Sequence, residues 1–259
     1  MAPYRSVEQA ERAEAPRDQG IVGDVIAQFA DPLAFYRELV QNAIDAGTDT
    51  VEIRLEHDAA AGVLRVAVRD RGEGMTREIV ENQLLVLFRS TKERDASKIG
   101  KFGIGFASVL APKPNVVIVH TSRDGRRLTL HLNPDLTYEL FDAGPSTKTG
   151  TTVQLEIAMD AERAAKFARD SQTALVRWCR HASVPIELHA EIPAASTSIR
   201  VRIDRPLALE DVLVEVRGTA DDGALTAVVG LPAKLGPYAG FFNHGLTLFE
   251  THEQLLGLL

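Results

Sequence analysis

The sequence predicts an α+β fold: a two-layer α/β sandwich with a mixed, mostly antiparallel sheet, followed by a partial second α/β domain. Three observations lead there. The segment from Leu33 to Ala46 repeats its apolar residues with the 3.6-residue period of a core-facing helix. Pairs of alternating segments joined by short turn-forming stretches mark hairpins, the signature of antiparallel pairing. A length of 259 residues, 45% of them hydrophobic, is enough for one or two domains with real cores.

Residues 1–18 are polar and charged, contain two prolines, and predict a flexible arm or a short helix. A helix is expected over Val22–Phe29. Asp31-Pro32 starts the next one, with Pro at the first helical position, and Gly47 closes it as a C-cap. Val51–Glu56 and Val63–Arg69 alternate as strands around the turn 58–62. A Gly-rich turn and a helix from about Thr76 follow. The stretch Arg89–Lys98 is dense in charge, has no apolar period, and predicts a loop. A second Gly-rich turn leads into a short helix over Ile104–Leu110. Strands are expected at Val116–Thr121, Arg127–Leu132, Tyr138–Phe141 and Thr151–Ile157, with Asp124-Gly125 as a hairpin turn. These elements make a first domain over residues 19–158. A long helix, Asp160–His181, then opens a second unit (159–259) with strands near Ser198–Ile203, Val212–Val216 and Leu225–Val229. The chain is expected to stop partway through that domain, at the apolar Leu255-Leu-Gly-Leu-Leu259.

A formal net charge of −7 gives no support for a nucleic-acid surface built on bulk positive charge. The one cysteine, Cys179, cannot form an intrachain disulfide and has no metal-ligand cluster around it, which fits a reducing compartment. No run approaches the roughly 20 apolar residues that span a bilayer, and the N-terminus lacks the apolar stretch of a secretory signal. A cytoplasmic protein without a membrane partner is the expectation.

Four segments carry chemistry. Glu38, Asn42 and Asp45 fall at i, i+4 and i+7, on one stripe of the predicted helix. A carboxylate, an amide and a second carboxylate so aligned could hold a metal ion and activate a water; an ordinary solvated helix face reads the same way. Asp70 ends an alternating strand and is followed by Arg71-Gly72-Glu73-Gly74-Met75, where two glycines let the backbone turn and approach a ligand. This stretch taken alone is equally a strand-to-helix turn. Gly100, Gly103 and Gly105, in Gly100-Lys101-Phe102-Gly103-Ile104-Gly105-Phe106, would expose backbone N–H groups at a helix start, an anion site suited to phosphates. It is not a Walker loop, because Phe102 rather than Ser or Thr follows Lys101. It is a poor dinucleotide fingerprint too, because a charged loop and not a strand precedes it. Thr149-Gly150-Thr151-Thr152 begins a strand and could support the Asp70 carboxylate.

The order and spacing of these segments resembles the GHKL ATPases: gyrase B, the MutL mismatch-repair proteins, the ninety-kilodalton heat-shock chaperones and the histidine kinases. Glu38-Leu-Val-Gln-Asn-Ala-Ile-Asp-Ala-Gly47 looks like their Asn-containing box, Asp70–Met75 like the first Gly box, Ile99–Phe106 like the second in its heat-shock chaperone version, and Gly150-Thr151 like the closing motif. The chaperone and MutL branches are the nearest match. The resemblance implies the Bergerat ATP-binding fold, with ATP and Mg²⁺ as ligands. It implies that Asp70 accepts from the adenine amino group with Thr151 or Thr152 nearby through water, that Asn42 binds Mg²⁺, and that Glu38 deprotonates the attacking water. Gly100–Phe106 would wrap the phosphates. Residues 75–99 would form a lid in which Asn82, Arg89, Ser90 and Lys92 contact nucleotide, while Asp45, Ala46, Gly72, Gly74 and Met75 would line the pocket.

Three functional classes compete. An ATP-driven clamp of the chaperone type uses Glu38 as its base and the long helix and second unit to transmit closure; ATP-dependent homodimerisation and an unidentified protein client go with it. Ala174–Glu187 and Phe241–Phe249 resemble parts of the chaperone middle domain. A histidine kinase needs a phosphoacceptor histidine before the Asn box, whereas the first of the 7 histidines, His57, lies after it. A nucleotide-binding module without useful turnover is the third class, since the family draws a γ-phosphate cation from its second domain and Lys234 is the only loop candidate. DNA-repair and topology-type ATPases use the same motifs. Trp178 and Cys179 are read as packing residues, Phe241-Phe242 as a buried strand, and Arg126-Arg127 as solvated.

Overall fold

A computed structural model describes residues 11–13, 31–85, 105–209, 211–223, 225–233 and 238–251. The helix expected over 22–29, the charged stretch Arg89–Lys98 and Lys234 lie outside these residues. Nine strands form one sheet in the order β1-β6-β5-β4-β7-β3-β2-β8-β9. They are β1 (Glu11–Ala13), β2 (Val51–Asp58), β3 (Val63–Asp70), β4 (Val116–Arg123), β5 (Arg126–Leu132), β6 (Tyr138–Pro145), β7 (Gly150–Ala158), β8 (Ile186–Ile192) and β9 (Thr197–Arg202). Every pairing is antiparallel except β2 with β8. The mixed, mostly antiparallel sheet and its covering helices are the predicted architecture.

Alternation decides which face is covered. Val51, Ile53 and Leu55 on β2, Leu64, Val66 and Val68 on β3, Val117 and Val119 on β4, and Val153, Leu155 and Ile157 on β7 all point into one core. Their neighbours in sequence, mostly polar with Ala67, Val116 and Ile118 among the exceptions, face the less covered side. Two helices cover the apolar side. Helix α1 (Phe35–Asp45) buries Phe35, Tyr36, Leu39, Val40 and Ala43 on one stripe. Its entry is a tight turn in which Asp31 Oδ1 accepts the Leu33 N–H at 2.8 Å. At its exit Gly47, at φ +72°, donates to Ile44 O while Thr48 donates to Ala43 O, the Schellman pair that closes a helix. Helix α2 is one turn (Arg77–Ile79), capped by Thr76 and continued by a wider π turn, Val80–Leu84, in which Leu85 N–H reaches Val80 O. Helix α3 (Ala161–Cys179) starts on an Asp160 cap. It presents a stripe of small residues, Ala164, Ala165, Ala168, Ser171 and Ala174, that lets it lie close to the sheet. The buried Tyr36 hydroxyl donates to Ser171 Oγ at 3.0 Å and ties α1 to α3.

Three expectations are corrected. Residues 11–13 pair with Tyr138–Leu140 as an edge strand rather than forming part of a loose arm. The sheet runs past 158: α3 packs in the same core, and β8 and β9 add two strands beside β2. Residues 174–187, compared above with a middle domain, therefore run from the end of α3 into β8, and Ser198–Ile203 covers most of β9, within this unit. Outside it stand two hairpins, β10–β11 (Val212–Ala220, Leu225–Pro232) and β12–β13 (Ala239–Asn243, Leu246–Thr251). The second hairpin rests on the end of α3, where Thr247 donates to Arg177 O at 2.8 Å and the Phe242 ring meets His181 edge-on. Phe241 in this hairpin is 49% exposed, not buried as its strand pattern suggests. Cys179 is fully buried, and burial pushes its thiol up to about 12. No helix among the described residues is long and apolar enough to cross a membrane.

Candidate functional site

The helical side of the sheet is not filled everywhere. A cavity of about 240 Å³ lies among α1, β3, β4, β7, the segment Arg77–Leu84 and the short helix that begins at Gly105. Its walls are mostly apolar, from Leu39, Val68, Met75, Leu84, Phe106, Val119 and Val153. Polar side chains enter at few points: Asn42 and Asp45 from α1, Asp70, Gln83, Thr151, and the pair Glu73 and Arg123. Apolar walls with a few convergent polar groups suit a flat, partly polar ligand such as a purine base.

Asp70, the last residue of β3, is the directed acceptor. Its Oδ1 accepts the Gly72 N–H at 2.8 Å and the Thr151 N–H at 3.1 Å. Both backbone donors hold the same oxygen, and Oδ2 has no hydrogen bond among the described residues. Burial raises this carboxyl above the usual carboxylate range, against the pull of the two N–H groups and Arg69.

The turn after Asp70 is pressed against two other elements. A Cβ on Gly72 would lie 2.6 Å from the Ala46 carbonyl oxygen, which itself accepts the Glu73 N–H at 2.9 Å. Gly74, at φ +70°, would place a Cβ 2.1 Å from the Ser122 carbonyl oxygen. Only glycine tolerates both that dihedral and that contact. Two buried hydroxyls brace the turn: Thr48 Oγ1 accepts the Arg71 N–H at 3.0 Å, and Thr121 Oγ1 accepts the Met75 N–H at 2.8 Å. Thr121 Oγ1 also lies 3.1 Å from Thr151 Oγ1, so Asp70, Thr151, Thr121 and Met75 form one connected set.

On α1, Asn42, Asp45 and Ala46 all line the cavity. Asp45 Oδ1 accepts from Gln41 at 2.8 Å. Glu38, one turn earlier, lies beside the cavity rather than on its wall. A Cβ on Gly105 would sit 2.5 Å from Glu38 Oε2, so the carboxylate touches the backbone that opens the second glycine segment. The Arg37 guanidinium reaches Glu38 Oε1 at 3.4 Å.

The sequence-derived candidates Thr152, Asn82 and Gly72 do not line the cleft. Thr152 follows Thr151 on a strand, so its side chain faces the opposite side of the sheet, in the row of Arg69 and His120. Asn82 is exposed, and its neighbour Gln83 lines the cavity instead. Gly72 packs against α1 without lining the cavity. Arg89, Ser90, Lys92, Gly100, Lys101, Phe102, Gly103 and Ile104 lie outside the described residues, whereas Gly105 and Phe106 are described. The sequence reading did not single out Thr48, Thr121, Gln83 or Arg123. Alternation gave a signal for one of them: Thr121 is a hydroxyl at an inward position of an apolar strand. Arg123 donates to Gly74 O at 3.4 Å and pairs with Glu73 at 2.8 Å, a contact no sequence spacing foretells.

The sequence pattern described as "Histidine kinase-, DNA gyrase B-, and HSP90-like ATPase" matches residues 35–142. The chain is 31% identical over 209 residues to the chaperone protein HtpG of Cupriavidus taiwanensis, covering 68% of this chain and 32% of that protein. It is 28% identical over 197 residues to HtpG of Bordetella parapertussis, covering 63% of this chain and 30% of that protein. The DNA mismatch repair protein MutL of Pediococcus pentosaceus is 28% identical over 173 residues, covering 64% of this chain and 25% of MutL. The chain thus spans between a quarter and a third of the length of these relatives. With its α+β sheet fold and the HtpG relative from Cupriavidus taiwanensis, the chain belongs to the histidine kinase-, DNA gyrase B- and HSP90-like ATPases, its residues 35–142 matching that family.

Proposed function

We propose that this chain binds ATP with the adenine base in the cavity and hydrolyses it slowly, and that nucleotide drives lid closure and movement of a second domain, as in a chaperone-like ATPase. The observation that carries the reading is the Asp70 carboxylate, with one oxygen held by two backbone N–H groups and the other available to the exocyclic amine of adenine. Thr151 and Thr121 support that carboxylate directly or through water. Leu39, Met75 and Phe106 sandwich the base.

The triphosphate then runs toward α1 and the glycine segment ending at Gly105. Among the described residues no group of three or more His, Cys, Asp or Glu could hold a metal ion. Asn42, on the cavity wall, would offer its side-chain carbonyl to Mg²⁺. The ion would neutralise phosphate charge. Glu38 orients the attacking water and takes its proton. Turnover stays weak unless a cation reaches the γ-phosphate, and Lys234 is the candidate. The segment after β9, with its two hairpins, would transmit the movement. The apolar side of β10–β11, where Val216 and Val229 are 65% and 68% exposed, belongs to the core of that second domain on this reading. A homodimer, a protein client and a cytoplasmic location go with the chaperone-like role. The MutL relative suggests a repair-type role, which a net charge of −7 supports less.

Nucleotide titration combined with phosphate release tests the reading. Glu38→Ala should abolish hydrolysis and spare ATP binding. Loss of both together would count against the assignment of Glu38, and fast turnover of the parent chain would count against the weak-activity claim.

A further inference from the structure

The face of the sheet that carries no helix has a second concavity, of about 340 Å³, on the strands that hold Asp70 and Thr151. The register explains it. Ser122 on β4 stands beside Gly150 on β7, and Ala67 on β3 lies one row further on, so the floor has little side-chain volume. Longer cationic side chains surround this floor: Arg54 and Arg69 on one side, Arg127 and Lys148 on the other. Thr152 and Ser122 present hydroxyls, and His120 stands between them on the same face. In a chain of net charge −7 this is a local positive basin.

The charges are not used up internally. Glu52 serves Arg54 at 2.5 Å and lies 3.9 Å from Arg69. Arg127 and Lys148 make no ion pair among the described residues. His120 is held by Thr129 through Nδ1 at 3.0 Å, and burial, with His131 and then Arg127 nearby, keeps it neutral to lower pH than usual. A solvated strand face normally intersperses both signs, as happens further along this one, where Arg65 pairs with Asp58 and Glu156. Here four cations meet two carboxylates, Glu52 and the partly buried Asp70, over a recess floored by hydroxyls and a glycine. Arginine forks and hydroxyl donors around a recess are what a tetrahedral dianion uses.

We propose that this recess is an anion site for phosphate or a small phosphate monoester, on the opposite face of the sheet from the nucleotide cleft, with Asp70 and Thr151 lining both. Arg69 and Arg127 grip the dianion from opposite walls, and Ser122 and Thr152 donate to it from the floor.

The test is an NMR titration of the whole chain at constant ionic strength, once with inorganic phosphate and once with glycerol 3-phosphate. Amide signals of Ser122 and Thr152 should move and saturate, and the His120 ring should titrate at higher pH when the anion is bound. A tighter response to glycerol 3-phosphate than to inorganic phosphate identifies the monoester as the better ligand, and the reverse identifies the free ion. Arg127→Gln and Arg69→Gln should each weaken binding about tenfold, the loss of one charge-assisted contact, and Arg127→Lys should recover part of it. These residues are exposed, so the variants should melt with the parent. The same titration in saturating ADP separates the two sites, and the shifts should persist. Shifts that never saturate, that ignore Arg127→Gln, or that vanish with ADP would overturn the proposal.

Discussion

Replacing Asp70 by Asn changes one atom and reverses its hydrogen-bonding sense. In the parent, Gly72 and Thr151 N–H groups both bond to Oδ1, at 2.8 and 3.1 Å. An amide in this place must offer its carbonyl oxygen to those two donors, which turns its NH₂ toward the base. The adenine amino group then meets a donor where it had an acceptor. Loss of a hydrogen bond to a charged group costs about 1.5–3 kcal/mol, and a buried donor left unsatisfied about 1–3 kcal/mol more. Together the expected loss is about 3–5 kcal/mol, or roughly a hundredfold to a few thousandfold in Kd. Stability should move the other way. Burial raises the Asp70 pKa in the folded chain, so the fold favours the protonated acid. That contribution to stability is present below the unfolded pKa and disappears as pH rises through the raised folded value. Asp70→Asn should therefore melt at or slightly above the parent at pH 7 and lie level with it at low pH. In the parent, ATP affinity should begin to fall at a higher pH than an ordinary aspartate would dictate, as protonation removes the acceptor. Calorimetric titration with ATP and thermal melts across pH read both effects. An Asp70→Asn chain that binds ATP within about threefold of the parent refutes the reasoning.

Three further substitutions separate the parts of the site. Gly74→Ala forces a Cβ to within 2.1 Å of the Ser122 carbonyl oxygen at a positive φ, and backbone cannot yield cheaply; thermal melts should show a loss above about 1 kcal/mol, and calorimetry no nucleotide affinity. Gly105→Ala meets only the mobile end of Glu38, at 2.5 Å, so the carboxylate should swing aside, cutting phosphate release much more than ATP binding. Thr121→Val removes the acceptor of the Met75 N–H and should cost about 1–3 kcal/mol of stability by melting, with weaker ATP binding; Thr121→Ser should restore both.

The parts of the molecule that local chemistry dictates were legible in the sequence. The α1 stripe, the Asp70 turn and the Asp124-Gly125 hairpin follow from period, glycine placement and strand ends, and the structure draws Asn42, Asp70, Gly74, Met75 and Thr151 to one cavity. What the reading missed depends on longer-range geometry. The strand β8 alternates cleanly from Ile186 to Ile192, but alternation does not say which sheet a strand joins, and it joined β2 in parallel. The edge strand at residues 11–13 is three residues long and has no apolar pattern. Asn82 is exposed in the π turn over Val80–Leu84, and the next residue, Gln83, lines the cavity. Thr152 lies on the other face because the two-residue period of β7 sends adjacent threonines to opposite sides. The Glu73–Arg123 pair joins elements 50 residues apart and has no local signature.

Crystals grown with ADP and Mg²⁺ examine the central claim without relying on activity. The adenine amino nitrogen should lie within hydrogen-bonding distance of Asp70 Oδ2, the ring between Met75 and Phe106, and the phosphates beside Asn42 and Gly105. A cavity that stays empty at saturating nucleotide, or a base seated away from Asp70, would contradict it.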